Sequence, residues 1–247
     1  MVYMPRIQQE PLQRHFKNDN NIEVGVDEAG RGPMLGRIYT GAVILPKDDT
    51  FNHGMMKDSK KFTSEKKIQE AAEYIKQHAL AWTVTWEDED AIDKLNIRQC
   101  VLKSMHNSIG QSMKKYLDTS TNLGTPDDSD NSDDTGDQTT FMLLVDGNDF
   151  KPYMIYDISA NYMKMIPHVC IKGGDNKYSA IAAASILAKV ERDKYIEELC
   201  DEHPMLEEKY NIRKNKGYGT KLHMDGIKEH GISKWHRKTY GICKQYA

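Results

Sequence analysis

The chain has 247 residues, 38% of them hydrophobic and 29% charged, with a net charge of −3. That length can bury a full core without disulfide or metal staples. No apolar run approaches the roughly 20 residues of a membrane span, and the four cysteines (Cys100, Cys170, Cys200, Cys243) are far apart. Membrane, secreted, fibrous and zinc-finger classes are therefore excluded or demoted, and a reducing, cytoplasmic setting is expected.

Residues 1–21 are polar, show no usable periodicity, and are expected to form a flexible leader. Apolar runs at 22–26, 38–45 and 81–86 predict three β-strands in close succession, an antiparallel meander. In the third, Trp82, Val84 and Trp86 share one face at period two. Residues 64–78 predict a helix capped by Thr63 or Ser64. A longer helix is expected over 96–117, where Ile97, Val101, Met105, Ile109 and Met113 form an apolar stripe. Seven Asp and no Lys or Arg fall within 118–137, and the acidic insert 118–140 is expected to be disordered. Strands follow at 141–145 and 168–171, then the strongest helix, 179–200, whose Ala-rich first half suits close packing on a sheet. The pattern predicts an α/β fold, a mixed sheet flanked by helices, with a helical C-terminal extension.

Without the seven aspartates the remaining net charge is +4, and residues 203–247 alone carry ten Lys/Arg against four Asp/Glu. A basic body with one acidic insert suggests a polyanionic partner, although a solvated lysine-rich surface explains the charge equally well.

Three acidic features recur at strand ends: Asp27-Glu28, Asp146 and Asp175, each ahead of a glycine-bearing or polar loop. Sites in open α/β sheets form beyond strand ends. Carboxylates converging there repel one another unless cations neutralise them, and oxygen ligands without Cys or His select Mg²⁺ or Mn²⁺. Any single Asp-Gly is more commonly a turn in which the carboxylate satisfies backbone amides.

The strings themselves are more specific. GVDEAGRGP at 25–33 resembles the opening motif of the type 2 ribonucleases H, the ribonuclease HII family. DSKK at 58–61, LVDGN at 144–148, IAAASILAKV at 181–190 with its following Arg-Asp, and KGYGT at 216–220 with His223 and His236-Arg237 resemble the later blocks, in family order. The resemblance implies a ribonuclease H-like catalytic core over 22–202, followed by a basic C-terminal helical region over 203–247. It implies that Asp27, Glu28, Asp146 and Asp175 hold two divalent ions, Mg²⁺ or Mn²⁺. Since Asp27 and Glu28 are adjacent, an ideal strand would point them oppositely, so the strand is expected to end or twist there. It further implies that Gly30-Arg31-Gly32 reads a ribose 2′-hydroxyl through backbone groups, and that Tyr218 stacks on the sugar at a DNA–RNA junction. Lys60, with Lys61, Lys177, Lys189 and the lysines of 216–221, is a candidate phosphate contact, although any single lysine is more often a solvated surface charge. The expected activity is two-metal-ion endonucleolytic cleavage of the RNA strand of RNA–DNA hybrids and at single ribonucleotides in duplex DNA, leaving 3′-hydroxyl and 5′-phosphate ends, by a monomer with no membrane partner.

Three departures stand out. Two glycines, Gly173-Gly174, precede the fourth carboxylate where the family commonly has one. Arg37 stands where proline is usual, and the acidic insert has no counterpart. Ribonuclease HIII shares the core but adds an N-terminal platform domain, for which about twenty residues before the first strand leave no room. Asp193, inside the long helix, is read as an ion-pair partner of Lys189 or Arg192.

Overall fold

A computed structural model describes residues 11–122, 139–158 and 160–247. Strand β1 (Ile22–Ala29) pairs antiparallel with β2 (Ile38–Ile44). Helix α1 (Glu65–His78) follows, with the Ser64 hydroxyl accepting from the Lys67 amide as its cap. The chain then returns as β3 (Ala81–Glu87), antiparallel to β2, completing the expected meander. The short helix α2 (Glu89–Leu95) leads into the long α3 (Ile97–Asn122). Strand β4 (Phe141–Asp146) then pairs parallel with β1. A hairpin, β5 (Met154–Asp157) and β6 (Tyr162–Met165), precedes β7 (His168–Ile171), which lies parallel beside β4. The five-stranded sheet has the order β3-β2-β1-β4-β7, with mixed strand directions. Helix α4 (Ser179–Glu202) crosses it, and α5 (Met205–Tyr210), α6 (Ile212–Asn215) and α7 (Lys221–His230) form the C-terminal region.

Each face of the sheet buries its own core. On one, Ile68, Ala72 and Ile75 of α1 and the alanines of α4 pack against Val43 and Leu45. On the other, Cys100, Met105 and Ile109 of α3 pack against Val24, Val26, Leu143 and Val145. The apolar stripe expected of α3 is therefore its sheet-facing side. A third cluster joins Met34 and Leu35 to Ile196, Leu206, Tyr210 and Ile227, fixing the C-terminal helices to the loop after β1. No helix among the described residues is long and apolar enough to cross a membrane.

The structure corrects the sequence reading in two places and narrows it in others. Residues 118–122 of the expected disordered insert continue α3 as helix; residues 123–138 lie outside the described residues. Of the expected flexible leader, residues 1–10 also lie outside them, but 11–21 are tied down. Leu12 is buried, Gln13 exchanges backbone bonds with Lys177 and Ser179, and the Glu23 carboxylate accepts from the amides of Phe16 and Lys17. The face that Trp82, Val84 and Trp86 share on β3 is buried unevenly along its length. Trp82 and Val84 pack on the α1–α4 core, but Trp86 stays 45% exposed, with the Arg37 guanidinium 3.8 Å above its ring. An arginine at 37 thus covers an indole face that a proline would leave bare. Of the two expected alternatives at Asp27, an end or a twist, the first does not occur: strand β1 runs through Ala29, with Glu28 paired to Thr40.

Candidate active site

Parallel pairing of β1 with β4 (Val26 against Val145) brings Asp27 and Asp146 to adjacent positions at the C-terminal ends of neighbouring central strands. Asp27 is 5% exposed and faces α4 near Ser185, whose nearby hydroxyl favours the ionised carboxylate, and its Oδ1 accepts from the Glu28 amide at 2.7 Å. The helix comes this close because two sheet positions lack a Cβ. One built at Gly25 would lie 2.1 Å from the Ala180 carbonyl carbon, and one at Gly41 2.5 Å from the Ala184 oxygen. Glu28 points to the other side of the strand, toward Arg31 and the start of α3. It remains close enough to Asp27 and Asp146 for all three charges to interact.

The double glycine before Asp175 has a physical explanation. Gly173 takes a left-handed conformation (φ 64°, ψ 40°), and the Gly174 amide donates to Asp146 Oδ1 at 2.6 Å. A Cβ on Gly174 would lie 2.5 Å from the Ile181 side chain and 3.4 Å from that same oxygen. The first glycine turns the chain and the second lets its amide reach Asp146, which places buried Asp175 in the cluster.

Burial pushes the Asp27 carboxyl far above the usual range, reinforced by repulsion from Glu28 and Asp146. Burial likewise raises Glu28, an effect that the Arg31 guanidinium at 3.5 Å opposes. Asp175 is raised by burial and by repulsion from Asp58 and Asp146. The Lys60 ammonium lies 4.0 Å from Asp175. Partial burial works against its charge, yet the pull of Asp175, Asp58, Asp27 and Asp146 holds it above its ordinary value. These carboxylates are confined at a cost that a cation would relieve.

Among the described residues, no three His, Cys, Asp or Glu side chains stand as a closed metal-binding set. Each carboxylate is turned to a different protein donor: Asp27 to the Glu28 backbone amide, Glu28 to Arg31, Asp146 to Gly174 and Asp175 to the Asn176 side-chain amide. The donor chemistry nevertheless fits a hard divalent ion: oxygen ligands only, two of them buried and two partly so, and mutually repelling.

The Gly30–Gly32 loop borders an open cleft of about 450 Å³ that also includes Glu28, Lys60, Lys189 and Tyr218. Gly30 has φ +96°, and a Cβ there would meet Arg192 Nε at 2.3 Å. At Gly32 a Cβ would meet only the Tyr218 ring, at 3.6 Å. The glycine loop and the half-exposed tyrosine thus lie side by side in the cleft. Thr220 caps α7, and Tyr218 sits just before that cap. Lys189 pairs with Asp193 at 2.6 Å, as the sequence suggested.

All nine predicted site residues therefore lie in or beside one cleft and its floor. The structure adds Asp58, Ser185 and Arg237. Asp58 caps the turn that presents Lys60 (2.9 Å to the Lys60 amide) and accepts from Asn176 at 3.2 Å, but an Asp before a Ser reads as a turn residue only. Ser185 was hidden in an alanine-rich helix. The available signal for Arg237 was the His-Arg pair itself.

Comparison with known proteins bears directly on this arrangement. The family model described as ribonuclease HII matches residues 24–122 and 138–242, breaking at the acidic insert. Ribonuclease HII of Parabacteroides distasonis is 38% identical over 230 residues, covering 93% of this chain and 95% of that protein. Two solved structures share the fold. Ribonuclease H2 from Pyrococcus horikoshii has a TM-score of 0.59 and 19% identity, over 91% of this chain and 96% of that one. Bst-RNase HIII in complex with Mn²⁺ has a TM-score of 0.56 and 14% identity, over 92% of this chain and 69% of that one.

Proposed function

The chain belongs to the ribonuclease HII family, a family of hydrolases acting on the RNA of RNA–DNA hybrids, and from that premise we propose that it also cuts at single ribonucleotides embedded in duplex DNA. The observation that carries this reading is the juxtaposition of four acidic residues with two adjoining elements, the Gly30–Gly32 loop and Tyr218. Asp27, Glu28, Asp146 and Asp175 would hold two Mg²⁺ or Mn²⁺ ions. When bound, these supply charge neutralisation and activation of water for in-line attack at phosphorus. The chain's own contribution is to bury Asp27 and Asp175 and to orient the carboxylates, Asp27 through the Glu28 amide and Asp146 through Gly174. Lys60, held in its charged form by the same carboxylates, is placed to take a phosphate of the cleaved strand. Backbone groups of Gly30-Arg31-Gly32 read the ribose 2′-hydroxyl, and Tyr218 offers a flat face to the deoxyribose that follows.

On this reading residues 22–202 carry the chemistry and 203–247 the junction contact, the whole acting as a monomer. The deciding experiment is cleavage of an end-labelled DNA–RNA–DNA duplex with one ribonucleotide, with and without chelator. The expected products carry 3′-hydroxyl and 5′-phosphate ends, and chelator abolishes them. Chelator-resistant cleavage, or products with 2′,3′-cyclic ends, would overturn the two-ion reading.

A further inference from the structure

The neighbouring residues His236 and Arg237 occupy a position that the chemistry above leaves unused. Both are fully buried. The Arg237 guanidinium has no carboxylate partner among its hydrogen bonds. It donates instead to four backbone carbonyls of the loop after β1: Gly30 at 2.7 Å, Pro33 and Gly36 at 2.8 Å, and Arg31 at 3.2 Å. The Arg37-bearing end of the loop is fixed further by backbone bonds from Gly36 N to Trp235 O and from Arg237 N to Met34 O. Carbonyls drawn inward to one cation leave the loop a single shape, with Gly30 to Gly32 on the cleft side.

His236 reaches the Tyr218 wall of the cleft, and its hydrogen bonds have one possible direction. The Ser233 amide, which can only donate, bonds His236 Nδ1 at 2.9 Å, so the ring proton of neutral His236 lies on Nε2. That nitrogen is 3.0 Å from His223 Nε2, which must accept, so the proton of His223 lies on Nδ1. Nδ1 is 2.9 Å from the Tyr218 carbonyl, which can only accept. Both ends of the chain independently demand the same tautomers. Burial pushes both imidazoles toward the neutral form, His236 down to about 3.

We propose that His236-Arg237 is a positioning pair setting the distance between the two reading elements: Arg237 fixes the ribose loop through its carbonyls, and His236, through His223, fixes Tyr218. This rests on the roles given above to Gly30–Gly32 and Tyr218. Because the two residues are consecutive, the ribose and deoxyribose contacts are referred to one short piece of backbone, and the junction is measured as a unit.

The test compares kcat/KM for a single-ribonucleotide duplex with that for a long RNA–DNA hybrid in wild type, Tyr218→Ala, His223→Leu, His223→Asn and Arg237→Lys. Asparagine places an amide donor where Nδ1 stands; leucine places none. His223→Leu is expected to lower the ratio about fivefold or more, toward that of Tyr218→Ala. His223→Asn, which keeps the donor to the Tyr218 carbonyl but loses the acceptor for His236 Nε2, should recover only part of the ratio, in KM rather than kcat, and complete recovery would show that His236 plays no part in holding Tyr218. Arg237→Lys, which cannot span four carbonyls, should depress both substrates together by about tenfold or more. A folded His223→Leu protein with the wild-type ratio, alongside a lowered ratio in Tyr218→Ala, would overturn the relay alone. An unchanged ratio in Tyr218→Ala itself would remove the junction reading beneath it, and the proposal with it. Should His223→Leu not fold, ¹⁵N–¹H spectra of the histidine rings in wild type decide the matter. His236 protonated at Nε2 and His223 at Nδ1 support the relay, and either opposite tautomer overturns it.

Discussion

The floor and the walls of the cleft treat buried charge in opposite ways. The floor gathers Asp27, Glu28, Asp146 and Asp175 so that burial and mutual repulsion raise three of their carboxyl groups. The walls bury two cations, Arg192 and Arg237, and solvate them with backbone carbonyls, four around Arg237 and two around Arg192. A buried charge with a full set of oppositely polarised neighbours rigidifies its surroundings, and Arg237 comes nearer to that than Arg192, whose buried Nε has no hydrogen-bond partner. One facing like charges stores unfavourable energy until a counter-ion arrives. The floor is thus built to receive, and the walls are built to hold still.

The largest expected effect comes from breaking the floor. Asp146→Asn keeps an oxygen for the Gly174 amide but removes one negative charge. Turnover at saturating Mg²⁺ or Mn²⁺ is expected to fall roughly a thousandfold or more, with hybrid binding retained by fluorescence anisotropy. Activity within about tenfold of wild type would contradict the role given to Asp146.

Breaking the wall should cost less and should depend on substrate. Tyr218→Ala removes one stacking face, expected to reduce cleavage of an embedded ribonucleotide by about 5- to 150-fold and of a long hybrid by less. The two glycines beside it separate fold from reading. Gly30→Ala drives a Cβ into Arg192 at a left-handed φ and should lower the melting temperature as well as activity. Gly32→Ala meets only the Tyr218 ring and should leave melting unchanged while weakening both substrates.

The stored repulsion of the floor has a sign that can be measured. A carboxyl whose folded pKa lies above its unfolded value binds more protons when folded, so its contribution to stability falls as pH rises past the usual carboxylate range. In chelator, Asp27→Asn is therefore expected to melt about 2–4 °C above wild type at neutral pH, the size of shift that about 1 kcal/mol produces in a chain of this length. The gap should narrow on acidification toward pH 4 and when divalent ions stabilise the wild type. A variant that melts lower than wild type in chelator at neutral pH would show that Asp27 is not strained.

The smallest effect is expected outside the cleft. Replacing residues 123–138 with a Gly/Ser linker removes six aspartates. It should leave melting and turnover unchanged and raise substrate affinity modestly at low salt only, since added salt screens charges more than a Debye length of about 10 Å away. Loss of folding would show that these residues pack on the body.

The legible parts of this chain were those in which neighbours in sequence are also neighbours in space. The β1–β3 meander follows from three apolar runs, the third alternating at period two, and α4 from its alanine density. The β5–β6 hairpin escaped because its strands are four residues each, and Met154, Tyr156, Met163 and Met165 are exposed rather than alternating with polar residues. The turn carboxylates Asp27, Asp146 and Asp175 were legible because glycines follow or precede them in specific strings. Arg237 was not, because its meaning lies in carbonyls some 200 residues earlier, and a carbonyl has no letter in a sequence. The double glycine at 173–174 looked like a flaw in the motif until the Gly174 amide was seen on Asp146.

Strand β4 joins two ends of the molecule with different obligations. At its C-terminal end stands Asp146; at its start, Thr140 bonds the side chain of Asn21 and accepts from the Ile22 amide, fixing where the chain re-enters the sheet. Six residues of strand set these points about 20 Å apart. Whatever the chain does between Asn122 and Thr139, it must return to the same anchored point, and the added entropy of a longer excursion grows only with the logarithm of its length, about 0.6 kcal/mol per doubling. The junction of α3 with β4 is therefore a natural graft site. A fluorescent reporter or a second folded unit spliced in there would hang from the end of the sheet remote from the carboxylates, and the enzyme should carry it without any change in what it cuts.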